Sequence, residues 1–169
     1  MNYFEIFSLV PSFSIDLVLL GNTYRNLQKQ YHPDKYVMSC ASKRLVAMQK
    51  STEINDAYQT LKNNCLRAQY LLLLSGMDIE LEQRTLQDTD FLIQQMLWRE
   101  KVEQFRVEDE DEITDFSTMI VQQIANLENE FEMKRQQNAL EESAECVRKL
   151  KFMLKLQIEL DQLEEKLFD

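Results

Sequence analysis

The sequence has 169 residues, 44% of them apolar, and contains two glycines and two prolines. It is long enough to bury a core without disulfides, and it lacks the turn formers that a sheet demands. The net charge of −10 is split: residues 1–75 carry eight Lys/Arg and five Asp/Glu, whereas residues 76–169 carry eleven and twenty-four. The acidic second half argues against a nucleic-acid partner, and the change of sign argues for two modules, 1–75 and 76–169, with different partners.

The first expected helix is a short aromatic opening, Tyr3, Phe4, Ile6 and Phe7, closed before Pro11 and too short to stand without docking on its neighbours. Leu17, Leu20, Tyr24, Leu27 and Tyr31 then recur at steps of three and four, one face of a helix with Ser14 or Asp16 placed to cap it. Gly21 inside that helix costs about 1 kcal/mol relative to alanine. Pro33 turns its predecessor away from helical angles, so the helix must end at His32. A third helix carries Leu45, Met48, Ile54, Ala57, Tyr58 and Leu61, and Lys62-Asn63-Asn64 is a weak stop after it. The run Tyr70–Leu74, ahead of Ser75-Gly76, reads either as a hydrophobic hinge between the modules or as an ordinary buried helix turn.

From Asp88 onward the spacing predicts three long amphipathic helices, with breaks at the acidic stretch Glu108–Glu112, read as a solvated connector, and at Gln136-Gln137-Asn138. The middle one carries Ile113, Phe116, Ile120, Ile124, Leu127 and Phe131 at helical spacing. The last helix runs from about Leu140 to Leu167. On the first of the three, Phe91, Gln95, Trp98, Val102 and Phe105 form a narrow stripe that suffices for packing. Leu92, Ile93, Met96 and Leu97, with Glu100 among them, are left on the other side as an apolar patch, either of the kind that marks a partner site or making a second buried contact against the first module or within a tighter bundle. The fold class is therefore all-α: a helical hairpin with a short first helix, followed by a three-helix bundle.

Cys40, Cys65 and Cys146 lie far apart and lack the paired spacing of a zinc site or redox pair; no metal or other cofactor is expected. No apolar run approaches the roughly 20 residues that cross a bilayer, and Met1 opens no leader sequence, which gives the expectation of a cytoplasmic protein.

The most informative residues are His32-Pro33-Asp34-Lys35, which contain the one histidine of the chain and sit between two amphipathic helices. The tripeptide His-Pro-Asp arises by accident in a chain of this length with a probability of about one per cent. Arg25 and Lys29, one turn apart on the preceding helix, add a basic face beside it. Pro33 stiffens the loop, and Asp34 presents a carboxylate that a partner's arginine can grip in a bidentate, charge-assisted pair.

With this motif, the aromatic first helix and Asn55-Asp56-Ala57-Tyr58-Gln59-Thr60-Leu61, the chain resembles the J-domain family. Arg67-Ala68-Gln69-Tyr70-Leu71-Leu72, Asp90-Phe91-Leu92, Arg99-Glu100, Val147-Arg148-Lys149-Leu150 and Gln162-Leu163-Glu164-Glu165-Lys166-Leu167 extend the resemblance over the whole chain to the HscB type. The resemblance implies a J-domain followed by a client-binding bundle. It implies that His32, Pro33, Asp34, Lys35, Arg25 and Lys29 meet a DnaK-type, HscA-like chaperone and stimulate its ATPase. It implies also that Leu92, Ile93, Met96, Leu97 and Glu100, with Phe152 of the last helix, hold the iron-sulfur scaffold protein IscU. Leu97 departs from the acidic residue familiar there, and Lys62-Asn63-Asn64-Cys65 departs from the family's proline-containing turn. The lack of a paired-cysteine extension, a Gly/Phe-rich linker and a zinc domain favours the dedicated bacterial type, expected to be a monomer.

Two other classes compete. A single histidine cannot supply both a triad base and a metal set, and two glycines make no phosphate loop, so an enzyme is disfavoured. A plain helical scaffold leaves the His-Pro-Asp loop unexplained, and sedimentation as an elongated oligomer would reveal one.

Overall fold

The computed structural model describes residues 1–80 and 86–169, and every regular element among them is helical. The chain forms two compact units, Met1–Leu71 and Leu72–Asp169.

In the first unit, α1 (Tyr3–Ile6) is a single turn. It persists because Asn2 and Glu5 form a reciprocal capping box and because Phe4 is fully buried. The Tyr3 amide donates to the Tyr70 hydroxyl at 2.9 Å, and the two rings stack with centroids 4.5 Å apart. α2 (Leu17–Tyr31) is capped by Asp16, whose carboxylate accepts from the amides of Val18 and Leu19. It lies antiparallel to α3 (Ala41–Lys62), with Tyr24 stacked on Tyr58 at 4.0 Å and Gln28 hydrogen-bonded to Ser51 at 2.9 Å. Gly21 sits against this partner, yet a Cβ there would meet only ordinary contacts, the nearest being the Tyr58 hydroxyl at 3.8 Å.

Not all the large apolar residues of this hairpin are buried. Leu45 and Met48 are more than half exposed, while Ala47, Ile54, Ala57 and Leu61 form the buried face of α3. At 100° per residue, Leu45 points about 180° away from Ile54, whereas Ala47, two turns earlier, keeps its phase. Leu17 is also exposed, at 49%. The register that pairs Tyr24 with Asn55 and Gln28 with Ser51 sets Leu17 beside the last turn of α3, where the partner surface ends.

After α3 the helix breaks at one residue. Asn63 is extended (φ −97°, ψ 124°), and its side chain accepts from the Leu66 amide, so the same residue that stops α3 caps α4 (Asn64–Leu74). Around this break lies Arg67, 4% exposed. Its guanidinium donates to the carbonyls of Phe13 at 2.7 Å and Leu61 at 2.6 Å and to the Asn64 side chain at 2.9 Å, and it stacks over the Phe13 ring.

In the second unit α5 (Thr89–Gln104) and two longer helices, α6 (Glu110–Gln136) and α7 (Leu140–Phe168), give the expected three-helix arrangement. α6 and α7 form an antiparallel pair whose seam joins Ile113, Phe116, Ile120, Leu127 and Phe131 to Val147, Leu150, Met153, Leu156 and Leu160. Asn138, at φ 57°, closes the turn between them in the left-handed region that asparagine tolerates. The acidic stretch is not a connector. Val107–Asp109 is a single 3-10 turn, and Glu110, Asp111 and Glu112 form the first turn of α6, where carboxylates favour the helix dipole. Of the thiols, Cys40 is exposed while Cys65 and Cys146 are buried, and burial pushes the Cys146 thiol up to about 11. No group of His, Cys, Asp and Glu among the described residues is placed to hold a metal, and no described helix is long and apolar enough to cross a membrane.

Arg67→Leu should destabilise the protein by about 3 kcal/mol in urea unfolding, because it leaves one buried and one half-buried carbonyl without their charged donor. Arg67→Lys should fall between Arg67→Leu and the wild type, since an ammonium keeps the charge but cannot span all three acceptors.

Candidate functional site

The first candidate site is built by the end of α2. His32 leaves the helix with φ −60° and ψ 130°, as the following proline requires, and then caps a 3-10 turn over Pro33–Tyr36. Its Nδ1 accepts from the Asp34 amide at 3.3 Å, which leaves Nε2 to carry the proton of the neutral ring. The His32 carbonyl accepts from the Lys35 amide at 3.0 Å. Tyr36 completes the turn by donating from its hydroxyl to the Gln30 carbonyl at 3.2 Å, which clips the loop back onto the helix it came from. Sequence reading missed Tyr36; the signal available was an aromatic residue four positions past His32.

The turn exposes its chemistry. The Asp34 side chain is 87% exposed, and its nearest charged or chargeable neighbour is His32 Nδ1 at 3.5 Å. Pro33 and Lys35 are exposed as well. On α2, Arg25 and Lys29 point into water, with Arg25 steadied by a hydrogen bond to Asn22. The six residues singled out in the sequence thus lie on one helix and the turn that ends it, as an exposed carboxylate beside a basic helix face.

The second candidate site belongs to α5 and α7. Asp88 caps α5 by accepting from the Phe91 amide at 3.0 Å and accepts from Lys149 at 2.8 Å, and the lysine hydrogen bond holds its carboxyl below the usual range. Phe91 meets Phe152 with ring centroids 6.4 Å apart, and Arg99 reaches Glu159 at 3.8 Å, so α5 and α7 run parallel. Gln95, Val102 and Phe105 are buried and Phe91 and Trp98 half-buried, which is the inward stripe expected. Ile93, Met96, Leu97 and Glu100 are exposed, Met96 at 70%.

The structure divides this outer face. Leu92 and Phe152, both half-buried, line one cleft of about 480 Å³ together with Ile79 and Leu86, two residues that sequence reading did not single out. Leu97 instead borders a separate groove of about 490 Å³ with Trp98, Phe116 and Met119. Glu100 lies about 12 Å along α5 from Leu92, two turns further on.

With this geometry in place, comparison with known proteins is specific. Residues 2–70 match the DnaJ domain, and residues 87–161 match the family described as the HSCB C-terminal oligomerisation domain. Similar curated proteins include the co-chaperone protein HscB homologs of Psychromonas ingrahamii, 62% identical over the full length of both chains, and Shewanella halifaxensis, 42% identical with both again fully covered. Among solved structures, chaperone HscB from Vibrio cholerae superimposes with a TM-score of 0.89 at 37% identity, over 99% of this chain and all of that one. The human co-chaperone HscB gives 0.91 over 99% and 84% at 24% identity, a likeness of fold.

The outer and inner faces of α5 should respond differently to truncation. Replacing Leu92, Ile93 and Met96 together with alanine should leave the melting temperature of the protein within a few degrees of wild type. Phe105→Ala, which empties a buried site against Phe116, should cost about 3–5 kcal/mol and lower it by many degrees.

Proposed function

The chain belongs to the HscB family of J-domain co-chaperones, and we propose from that premise how its two exposed sites divide the work. The protein stimulates the ATPase of a DnaK-type, HscA-like chaperone and delivers to it the iron-sulfur scaffold protein IscU, promoting iron-sulfur cluster assembly. The observation that carries this reading is the exposed Asp34 carboxylate, presented on a stiff turn at the end of a basic helix.

In the module 1–75, Asp34 offers the chaperone a bidentate acceptor for an arginine, and a guanidinium–carboxylate pair of that kind fixes orientation as well as adding energy. Pro33 and the Tyr36 clip keep the turn in one geometry, which lowers the entropy lost on docking. Lys35, Arg25 and Lys29 draw the acidic surface of the partner in. His32 contributes through the turn: its ring accepts the Asp34 amide and so aims the residue that makes the contact.

In the module 76–169, Leu92, Ile93, Met96, Leu97, Glu100 and Phe152 hold the scaffold protein, an exposed apolar face supporting that reading. The protein is a non-catalytic partner in this cycle and performs no chemistry of its own. It acts in the cytoplasm as a monomer with no bound cofactor.

Asp34→Asn and His32→Gln should each keep the circular-dichroism spectrum of the wild type and lose stimulation of the chaperone in a single-turnover ATPase assay. Correctly folded variants that stimulate normally would falsify the role given to the turn. Lys29→Glu or Arg25→Glu should weaken chaperone binding most at low salt, because screening cuts exposed charge interactions beyond about 8 Å at physiological ionic strength. Equal losses at low and high salt in a binding titration would mean a desolvated contact instead.

A further inference from the structure

Of the five cations on α7, Arg148, Lys149, Lys151 and Lys155 fall within two turns of each other, in a half of the chain that is otherwise strongly acidic. Two of them are engaged within the fold. Arg148 donates to Glu145 at 3.0 Å and Glu141 at 3.3 Å, and Lys149 holds the Asp88 cap of α5. Lys151 and Lys155 are exposed and have no ion-pair partner among the described residues. Both line the 480 Å³ cleft that Leu92, Phe152, Ile79 and Leu86 floor.

Like charges one turn apart on a helix repel each other, so this pair lowers the stability of α7 rather than raising it. Its placement has a different consequence. A carboxylate-bearing segment nearing this acidic unit is repelled over most of the surface and attracted at the lip of this cleft, which also offers apolar area to Leu- or Phe-sized side chains. An apolar floor with charged groups at its edge is the anatomy of a specific protein contact, in which the floor supplies affinity and the edge supplies on-rate and register.

We propose that this cleft receives an apolar side chain from a partner segment that carries carboxylates beside it, with Lys151 and Lys155 holding those carboxylates. The proposal rests on the reading of the α5–α7 face as the scaffold site and names the chemistry of the segment that occupies it. Glu100 lies about 12 Å from Leu92 along α5, well past the lysines, so the face carries opposite charges at its two ends. The segment therefore docks in one direction, its acidic end at Lys151 and Lys155.

The test is calorimetric titration of the IscU-type scaffold protein into full-length wild type, Lys151→Glu/Lys155→Glu and Leu92→Ala/Ile93→Ala/Met96→Ala, at about 50 mM and about 500 mM salt. Melting curves establish that each variant is folded. The double lysine variant should bind at least about tenfold more weakly at the lower salt and within about threefold of wild type at the higher, as expected for charges at the edge of an interface. If it binds as wild type does at low salt, or more tightly, while the triple alanine variant has lost binding, the acidic-segment proposal is overturned and the apolar site stands. If the triple alanine variant binds as wild type does, the site itself has been misassigned and the proposal falls with it.

Discussion

The first unit depends on Arg67. One buried guanidinium ties the segment before α2, through the Phe13 carbonyl, to the α3–α4 break, where it reaches the Leu61 carbonyl at the end of α3 and Asn64 at the start of α4. Each stretch is irregular backbone or a helix terminus, where carbonyls have no partner of their own, and burying them unpaired would cost more than most single contacts contribute. A planar fork with five donors can serve all three at once, which no other side chain can do. Because Arg67 fixes where α2 begins relative to the end of α3, it also sets the register in which Tyr24 meets Tyr58 and Gln28 meets Ser51.

That register is transmitted along α2 to the turn at its far end. A helix of 15 residues is a rod of about 22 Å, so an anchor at Asp16 locates His32 without any contact between them. The turn itself is small and self-contained: Pro33 sets one dihedral, His32 caps, and Tyr36 reaches back to Gln30. Asp34 is left almost wholly in water, so its side chain contributes little to the fold. Its geometry is held by neighbours whose own packing is elsewhere.

The second unit solves a different problem, that of keeping apolar residues on the outside. α6 and α7 bury a continuous seam and are long enough to be stable as a pair. α5 adds itself to α7 through a capped end at Asp88–Lys149, an aromatic contact at Phe91–Phe152 and a charged contact at Arg99–Glu159. Packing through a narrow stripe leaves Ile93, Met96 and Leu97 more than half exposed. The apolar surface is thereby displayed on a helix rather than a loop, a form of display that costs a binding surface less entropy than ordering a flexible segment.

Much of this was legible in the sequence. Few glycines and prolines dictated an all-helical chain, Pro33 dictated the end of α2, and four-three spacing dictated the inward stripe of α5, because each is a local consequence of backbone sterics or helical period. Other placements were decided by helix phase, helix ends and tertiary contacts that spacing alone does not encode. Leu45 and Met48 are large yet exposed, because the phase of α3 is set by Ile54 and Leu61, and a small Ala47 fills the position facing the hairpin. The acidic residues from Glu108 to Glu112 looked like a connector because charge is common in loops; three of them sit where the dipole of α6 favours them. Tyr36, Ile79 and Leu86 could not be placed by period at all, since Tyr36 ends a single 3-10 turn and the other two lie in irregular backbone whose path only tertiary packing decides. The same holds for Lys151 and Lys155. The sequence supplied four cations close together on one helix, and only the folded partners, by engaging Arg148 and Lys149, decided which two are left facing water at the edge of an apolar cleft.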